Sequence, residues 1–108
     1  MKKGDICVVD LFLGIGHEQN GKRPAIFFAD TKTNIAIIIP LTSNIEALRF
    51  PYTLTIRPDK DNNLDEESVA LIFHLRAVDN KRLSSPLGKI NKQLIGKIDS
   101  ILKKLLNL

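Results

Sequence analysis

A chain of 108 residues, 44% apolar and 26% charged, has the size and composition of one soluble globular domain spanning 1–108 and leaves no room for a second. A single cysteine, Cys7, excludes an internal disulfide framework. The formal charge of +4 is concentrated at the end of the chain, where Lys92, Lys97, Lys103 and Lys104 stand against Asp99, so composition alone is weak support for a nucleic-acid partner.

Met1 to Asp5 carries two lysines but no long apolar stretch follows before Asp10, which argues against a signal peptide. No uncharged run is long enough to cross a bilayer, so the expectation is a cytoplasmic protein with no membrane partner. Asp5 to Phe12 is rich in apolar and β-branched residues and reads as a first strand. Gly14 and Gly16 break it. Residues 12–23 then form a loop long for a hairpin, and such loops in compact domains are often functional. Pro24 to Ala29 reads as a second strand, with Arg23 just before it; proline is tolerated at a first position that needs no ladder donor.

After a polar turn at 30–34, Ile35 to Ile39 is apolar without alternation, so both its faces should be covered, one of them by a C-terminal helix or a second subunit. Leu41 to Pro51 is a connection, and Tyr52 to Ile56 alternates like a half-buried strand. Residues 57–67 read as a charged, exposed loop. Val69 to Leu75 is another continuous apolar strand, with His74 near its end. Finally Leu94, Ile95, Ile98, Ile101, Leu102, Leu105 and Leu106 recur at helical spacing behind a candidate N-cap, Asn91. Five or so short strands with one closing helix predict a mainly β, SH3-like small barrel. A ferredoxin-like sandwich would need a second amphipathic helix between strands, and the sequence has none.

Several chemistries are excluded early. His17, His74 and Cys7 fall in separate elements without paired-ligand spacing, and the acidic stretch 59–67 lacks the order of a calcium loop, so no metal site is expected. There is no phosphate-binding Gly-x-x-x-x-Gly-Lys-Ser/Thr motif and no nucleophile elbow. Cys7, between Ile6 and Val8, reads as a core residue.

Residues 16–24, Gly-His-Glu-Gln-Asn-Gly-Lys-Arg-Pro, differ from the rest. They gather an imidazole (His17), a carboxylate (Glu18), an amide (Gln19) and a guanidinium (Arg23). A guanidinium fork suits phosphate oxygens, and a carboxylate or imidazole can take the proton of a ribose 2′-hydroxyl. Internal transesterification needs no metal, because the nucleophile is already in the substrate. The plainer reading is a turn whose polar groups bond one another. Pro40-Leu41-Thr42-Ser43 adds two hydroxyls at a strand end, able to orient a phosphate or simply to make a turn.

Taken in order along the chain, Lys3-Gly4-Asp5-Ile6, Gly16-x-Glu18-x-x-Gly21-x-Arg23-Pro24 and Pro40-Leu41-Thr42-Ser43 resemble the signature of the MazF/PemK/Kid toxins. Ser68-Val69, Leu75 to Leu83, Leu87 to Ile90 and the final helix extend the resemblance over nearly the whole chain. It implies an SH3-like barrel that forms a homodimer and cleaves single-stranded RNA at short sequences without metal or other cofactor, leaving 2′,3′-cyclic phosphate and 5′-hydroxyl ends. It also implies an antitoxin partner whose flexible, often acidic tail blocks the groove. On the matching positions Arg23 is the catalytic arginine, Thr42 the catalytic threonine and Glu18 the loop glutamate, while His17 matches only the branch whose loop reads Gly-His-Glu-Gln.

In this reading Gln19, Lys22, Ser43, His74, Arg76 and Arg82 contact RNA. His74 stands where glutamine is usual, and Leu71 and Phe73 replace an arginine and an aspartate proposed as acid and base in the Kid branch. The general base is therefore open between His17 and Glu18, and Glu18 suits orienting Arg23 as well. Two other functions fit the same barrel: a non-enzymatic toxin that binds protein, as gyrase poisons do, and a catalytically inactive RNA-binding relative. The Arg23-Pro24 and Thr42-Ser43 pairs favour the nuclease, since a gyrase poison has no need of them.

Overall fold

In the computed structural model, residues 1–11 and 21–108 are described. Among them the chain runs β1 (Asp5–Asp10), β2 (Lys22–Asp30), β3 (Ile35–Thr42), β4 (Thr53–Ile56), β5 (Ser68–Leu71), β6 (Arg76–Asp79), β7 (Gly88–Lys89) and α1 (Lys92–Leu106). The result is a half-barrel of antiparallel strands closed by one C-terminal helix, the fold class expected. No helix of the described residues is long and apolar enough to cross a membrane.

The pivot is β3. Its first half, Ile35 to Ile38, pairs with β6, whereas Leu41 and Thr42 pair with Ala70 and Val69 of β5. On its other side it pairs with β2, and that ladder stops at Ala25 opposite Pro40. Pro24 and Pro40 have no N–H with which to extend it, so the two strands part where a further rung would stand.

The unbroken apolar run of β3 feeds two cores. Ile39 and Leu41 join Ile6, Ile26, Ile56, Ile72 and Ile98 in one cluster, against which Leu94, Ile95, Ile101 and Leu102 of α1 pack. Ala36 and Ile38 join Val9, Ala25, Phe27 and Val78 in a second. The helix thus covers one face of β3, as the non-alternating pattern requires. It begins as expected: the Asn91 side-chain carbonyl accepts from the Leu94 N–H at 2.8 Å. Gly4, at φ +97°, lets the N-terminal turn close on this helix, since a Cβ there would stand 2.7 Å from Ile95 Cδ1.

Other boundaries differ from the sequence reading. β1 ends at Asp10 rather than Phe12, and Phe12 lies outside the described residues. β2 begins at Lys22, so Arg23 is held inside the strand opposite Val9 and Pro24 is its third residue. Gly21, at φ +106°, turns the chain into that strand, and its carbonyl accepts from the Leu11 N–H at 3.1 Å. β3 runs on through Pro40 to Thr42, and a short 3-10 turn, Ile45–Arg49, occupies the connection that follows.

The expected strand Val69–Leu75 is instead β5 followed by a 3-10 turn, Ile72–His74. The Tyr52 carbonyl captures the N–H groups of Ile72 (3.1 Å) and Phe73 (3.2 Å), which bends the chain out of the sheet. Tyr52 itself stands outside β4 with φ +61°. The strands β6 and β7 are additional to the five expected, and both are short.

Residues 57–67 are not simply an exposed loop, because Asn62 is fully buried at their centre. Its Oδ1 accepts from the N–H groups of Asp59 (3.2 Å) and Leu64 (3.0 Å), and its Nδ2 donates to the Arg57 carbonyl at 2.8 Å. With every polar atom of the amide engaged, burial costs little and the loop is fixed.

Candidate active site

Where the β2–β3 ladder ends, a recess of about 410 Å3 opens, lined among others by Arg23, Pro24, Leu41, Thr42 and Ser43. Arg23 and Thr42 lie two residues beyond the last rung, Ala25 opposite Pro40, one on each strand. Both are half-buried. Sheet backbone fixes each of them, Arg23 through its pairing with Val9 and Thr42 through its pairing with Val69. Arg23 is engaged in interactions of its own within the fold.

The Thr42 hydroxyl oxygen accepts from the Asn44 N–H at 3.2 Å. A hydroxyl has one proton to give, and with its oxygen accepting there that proton remains available to an acceptor in the recess. The opposite wall comes from the loop fixed by Asn62 and includes Asn63, Leu64, Asp65 and Glu66. Asn63 donates its side-chain N–H to the Leu87 carbonyl, and the Lys89 N–H donates to the Asp61 carbonyl at 2.9 Å, tying this wall to β7. The sequence pattern marks Asp65 and Glu66 only as part of a solvated charge run, and the ordered wall follows from the burial of Asn62, three residues before Asp65.

A second recess, about 230 Å3, shares Arg23, Leu41 and Thr42 with the first and adds Phe50, Phe73 and His74. His74 is exposed and lies flat beside Phe73, with ring centroids 5.7 Å apart and planes 13° from parallel. The structure therefore brings His74 together with Arg23 and Thr42; Ser43 lines the larger recess and not this one. Phe73, read from the sequence as part of a strand, was missed.

Lys22 and Arg82 meet elsewhere, in a recess of about 550 Å3 with Asp10, Lys81 and Ser84; Val8 borders both this recess and the first. Arg76, which opens β6 opposite Ile38, lines none of the three. His17, Glu18 and Gln19 lie outside the described residues.

Cys7 is fully buried, and its thiol donates to the Ala25 carbonyl at 3.9 Å. Burial, aided by the nearby Asp5 carboxylate, pushes its pKa up to about 11, so it is protonated at neutral pH and unsuited to be a nucleophile. Among the described residues no three His, Cys, Asp or Glu side chains are grouped as metal ligands.

Comparison with known proteins gives one consistent picture. The family described as "PemK-like, MazF-like toxin of type II toxin-antitoxin system" matches residues 2–106. Endoribonuclease EndoA of Bacillus subtilis (strain 168) is 28% identical over 107 residues, covering 95% of this chain and 91% of its own. Among solved structures, MazF (Form-I) from Deinococcus radiodurans superposes with a TM-score of 0.79 at 24% identity, covering 100% of this chain and 97% of its own. The MazE–MazF structure (Form-II) from the same organism gives 0.78 at 24% identity, covering 100% and 96%.

Proposed function

The chain belongs to the PemK-like, MazF-like toxins of type II toxin–antitoxin systems, and from that premise we propose that it is an endoribonuclease cutting single-stranded RNA at short sequences by metal-independent internal transesterification. The observation that carries this reading is the convergence of Arg23 and Thr42, from two different strands, on the recess opened where the β2–β3 ladder stops. The name of EndoA, an endoribonuclease, supports the activity.

In the proposed reaction the ribose 2′-hydroxyl beside the scissile phosphate loses its proton and its oxygen attacks phosphorus. A 2′-O–P bond forms, the P–O5′ bond breaks, and the departing 5′ oxygen gains a proton. The ends are a 2′,3′-cyclic phosphate and a 5′-hydroxyl. The substrate supplies the nucleophile, so the protein's tasks are positioning, charge stabilisation and proton transfer. Arg23 offers a planar fork to the phosphate oxygens as negative charge develops on them. Thr42 donates its remaining hydroxyl proton to the same phosphate. His17 or Glu18 takes the 2′ proton, and Glu18 otherwise orients Arg23.

Ser43 and His74 border the reacting centre, while Lys22 and Arg82 hold flanking phosphates from the neighbouring recess; Gln19 and Arg76 complete the RNA contacts in this reading. The working toxin is a homodimer, and a cognate antitoxin with a flexible acidic tail blocks the site. The Deinococcus radiodurans MazE–MazF structure supports the choice of partner.

In EDTA the purified protein should cut diverse single-stranded RNAs and leave 5′ ends that polynucleotide kinase labels without prior phosphatase treatment. RNA left whole across several unrelated templates, or cutting that stops with the chelator, would overturn the proposal.

A further inference from the structure

Two phenylalanine rings stand half open to solvent at the mouth of the smaller recess. Phe50 is 44% exposed and Phe73 41%. Their centroids are 5.8 Å apart with planes tilted by 57°, and His74 extends the surface by lying nearly parallel to Phe73. The Arg49 guanidinium carbon lies 5.0 Å from the Phe50 ring centroid, within reach of a cation–π contact.

Backbone devices set both rings. The Phe50 N–H donates to the Ala47 carbonyl at 3.0 Å, which closes the 3-10 turn Ile45–Arg49. Phe73 is carried on the turn Ile72–His74, which hangs from the Tyr52 carbonyl by two hydrogen bonds. Tyr52 makes them from φ +61°, the left-handed region that a bulky L-residue occupies only at a cost. Strain of that kind persists where surrounding structure imposes it, and it clusters at ligand sites.

Resting on the ribonuclease reading above, we infer that Phe50 and Phe73 form a stacking shelf for one unpaired RNA base beside the scissile phosphate. The recess offers flat π faces next to a guanidinium and a hydroxyl, Arg23 and Thr42. A nucleotide presents the same pair of features, a planar base joined to an anion. An apolar side chain from a second protein copy would match the aromatic part alone and make no use of the Thr42 hydroxyl beside it. Single-stranded RNA is read by stacking unpaired bases on aromatic faces, a contact tolerant of sequence and strong enough to fix the register of the strand.

The test uses full-length protein and a single-stranded RNA that it cuts, carrying a 2′-deoxy ribose at the cut and 2-aminopurine walked through the flanking positions. Binding should quench the fluorophore at one flanking position. Phe73→Leu, which keeps an apolar side chain but removes the π face, should abolish that quench and weaken Kd about tenfold; Phe73→Tyr should restore both. Unchanged affinity and quench in Phe73→Leu, with the wild type still cutting, would overturn the shelf and leave the nuclease standing. A wild type that cuts no RNA would overturn both. Conversion of a dimer to a monomer by Phe73→Leu in sedimentation velocity would assign the rings to contact between copies and overturn the inference.

Discussion

The two recesses that meet at Arg23 and Thr42 have opposite outer walls. The larger is closed by Asn63, Asp65, Glu66 and Ser68, polar groups that form hydrogen bonds, two of them carboxylates. The smaller is closed by Phe50, Leu71, Phe73 and His74, which present flat and apolar surface. One wall comes from the loop organised by buried Asn62, the other from two 3-10 turns. One strand gap can in this way divide its labour. A phosphate placed between Arg23 and Thr42 would have proton-exchanging groups on one side and a stacking surface on the other. Chemistry and recognition would then share only the residues at the seam.

Removing the seam should damage both sides at once, and this is the largest effect expected. Arg23→Ala should lower the cleavage rate by about 10²–10³-fold, the usual consequence of losing one donor aimed at developing oxyanion charge. Arg23 is half-buried at a strand end, so the thermal midpoint should change little. Rates are read from single-turnover cleavage of one RNA and folding from circular dichroism. A near-normal rate would show that the two recesses do not meet at a catalytic group.

The seam was largely legible in the sequence, and the walls were not. Arg23 and Thr42 could be read because strands β1, β2 and β3 announce themselves by apolar, β-branched runs, and because the motif residues follow them in order. The helix α1 was legible from its 3.6-residue stripe and from Asn91. The walls depend on single non-local contacts that carry no periodic signal. Nothing in Val69–Leu75 reveals that the Tyr52 carbonyl will bend it at Ile72 and turn Phe73 outward. Nothing in the charge run 57–67 reveals that Asn62 will be its buried centre. The strand Arg76–Asp79 was invisible because its four residues do not differ in polarity from a loop, and its pairing with Ile35–Ile38 alone makes it a strand.

The aromatic wall can be probed through the backbone that holds it. At Tyr52 the left-handed φ, not apolarity, should decide which substitution is tolerated. Tyr52→Val keeps hydrophobic character but adds a β-branch, which the left-handed region disfavours most; Tyr52→Asn is polar but accepts that conformation. Tyr52→Val should therefore be less stable than Tyr52→Asn by about 1 kcal/mol in urea unfolding. The reverse order would mean that apolar packing at position 52, and not its backbone angle, holds the shelf in place.

The acidic wall should give the smallest effect and the sharpest contrast. Asp65 and Glu66 are exposed carboxylates facing a space proposed for a polyanion. If Arg23 alone attracts phosphate there, these carboxylates oppose binding, and the double variant Asp65→Asn, Glu66→Gln should bind RNA about threefold more tightly at low salt. The gain should fade by ~1 M salt, where the Debye length falls to roughly 3 Å and exposed charges no longer sense one another. Substitutions on the aromatic wall should show no such salt dependence, because stacking is not screened. If the double variant instead cut more slowly at unchanged affinity, and its rate lost the acidic limb of the pH profile, one of the two carboxylates would be the proton acceptor. The polar wall would then belong to the chemistry directly, and His17 and Glu18 would be left to bind or orient.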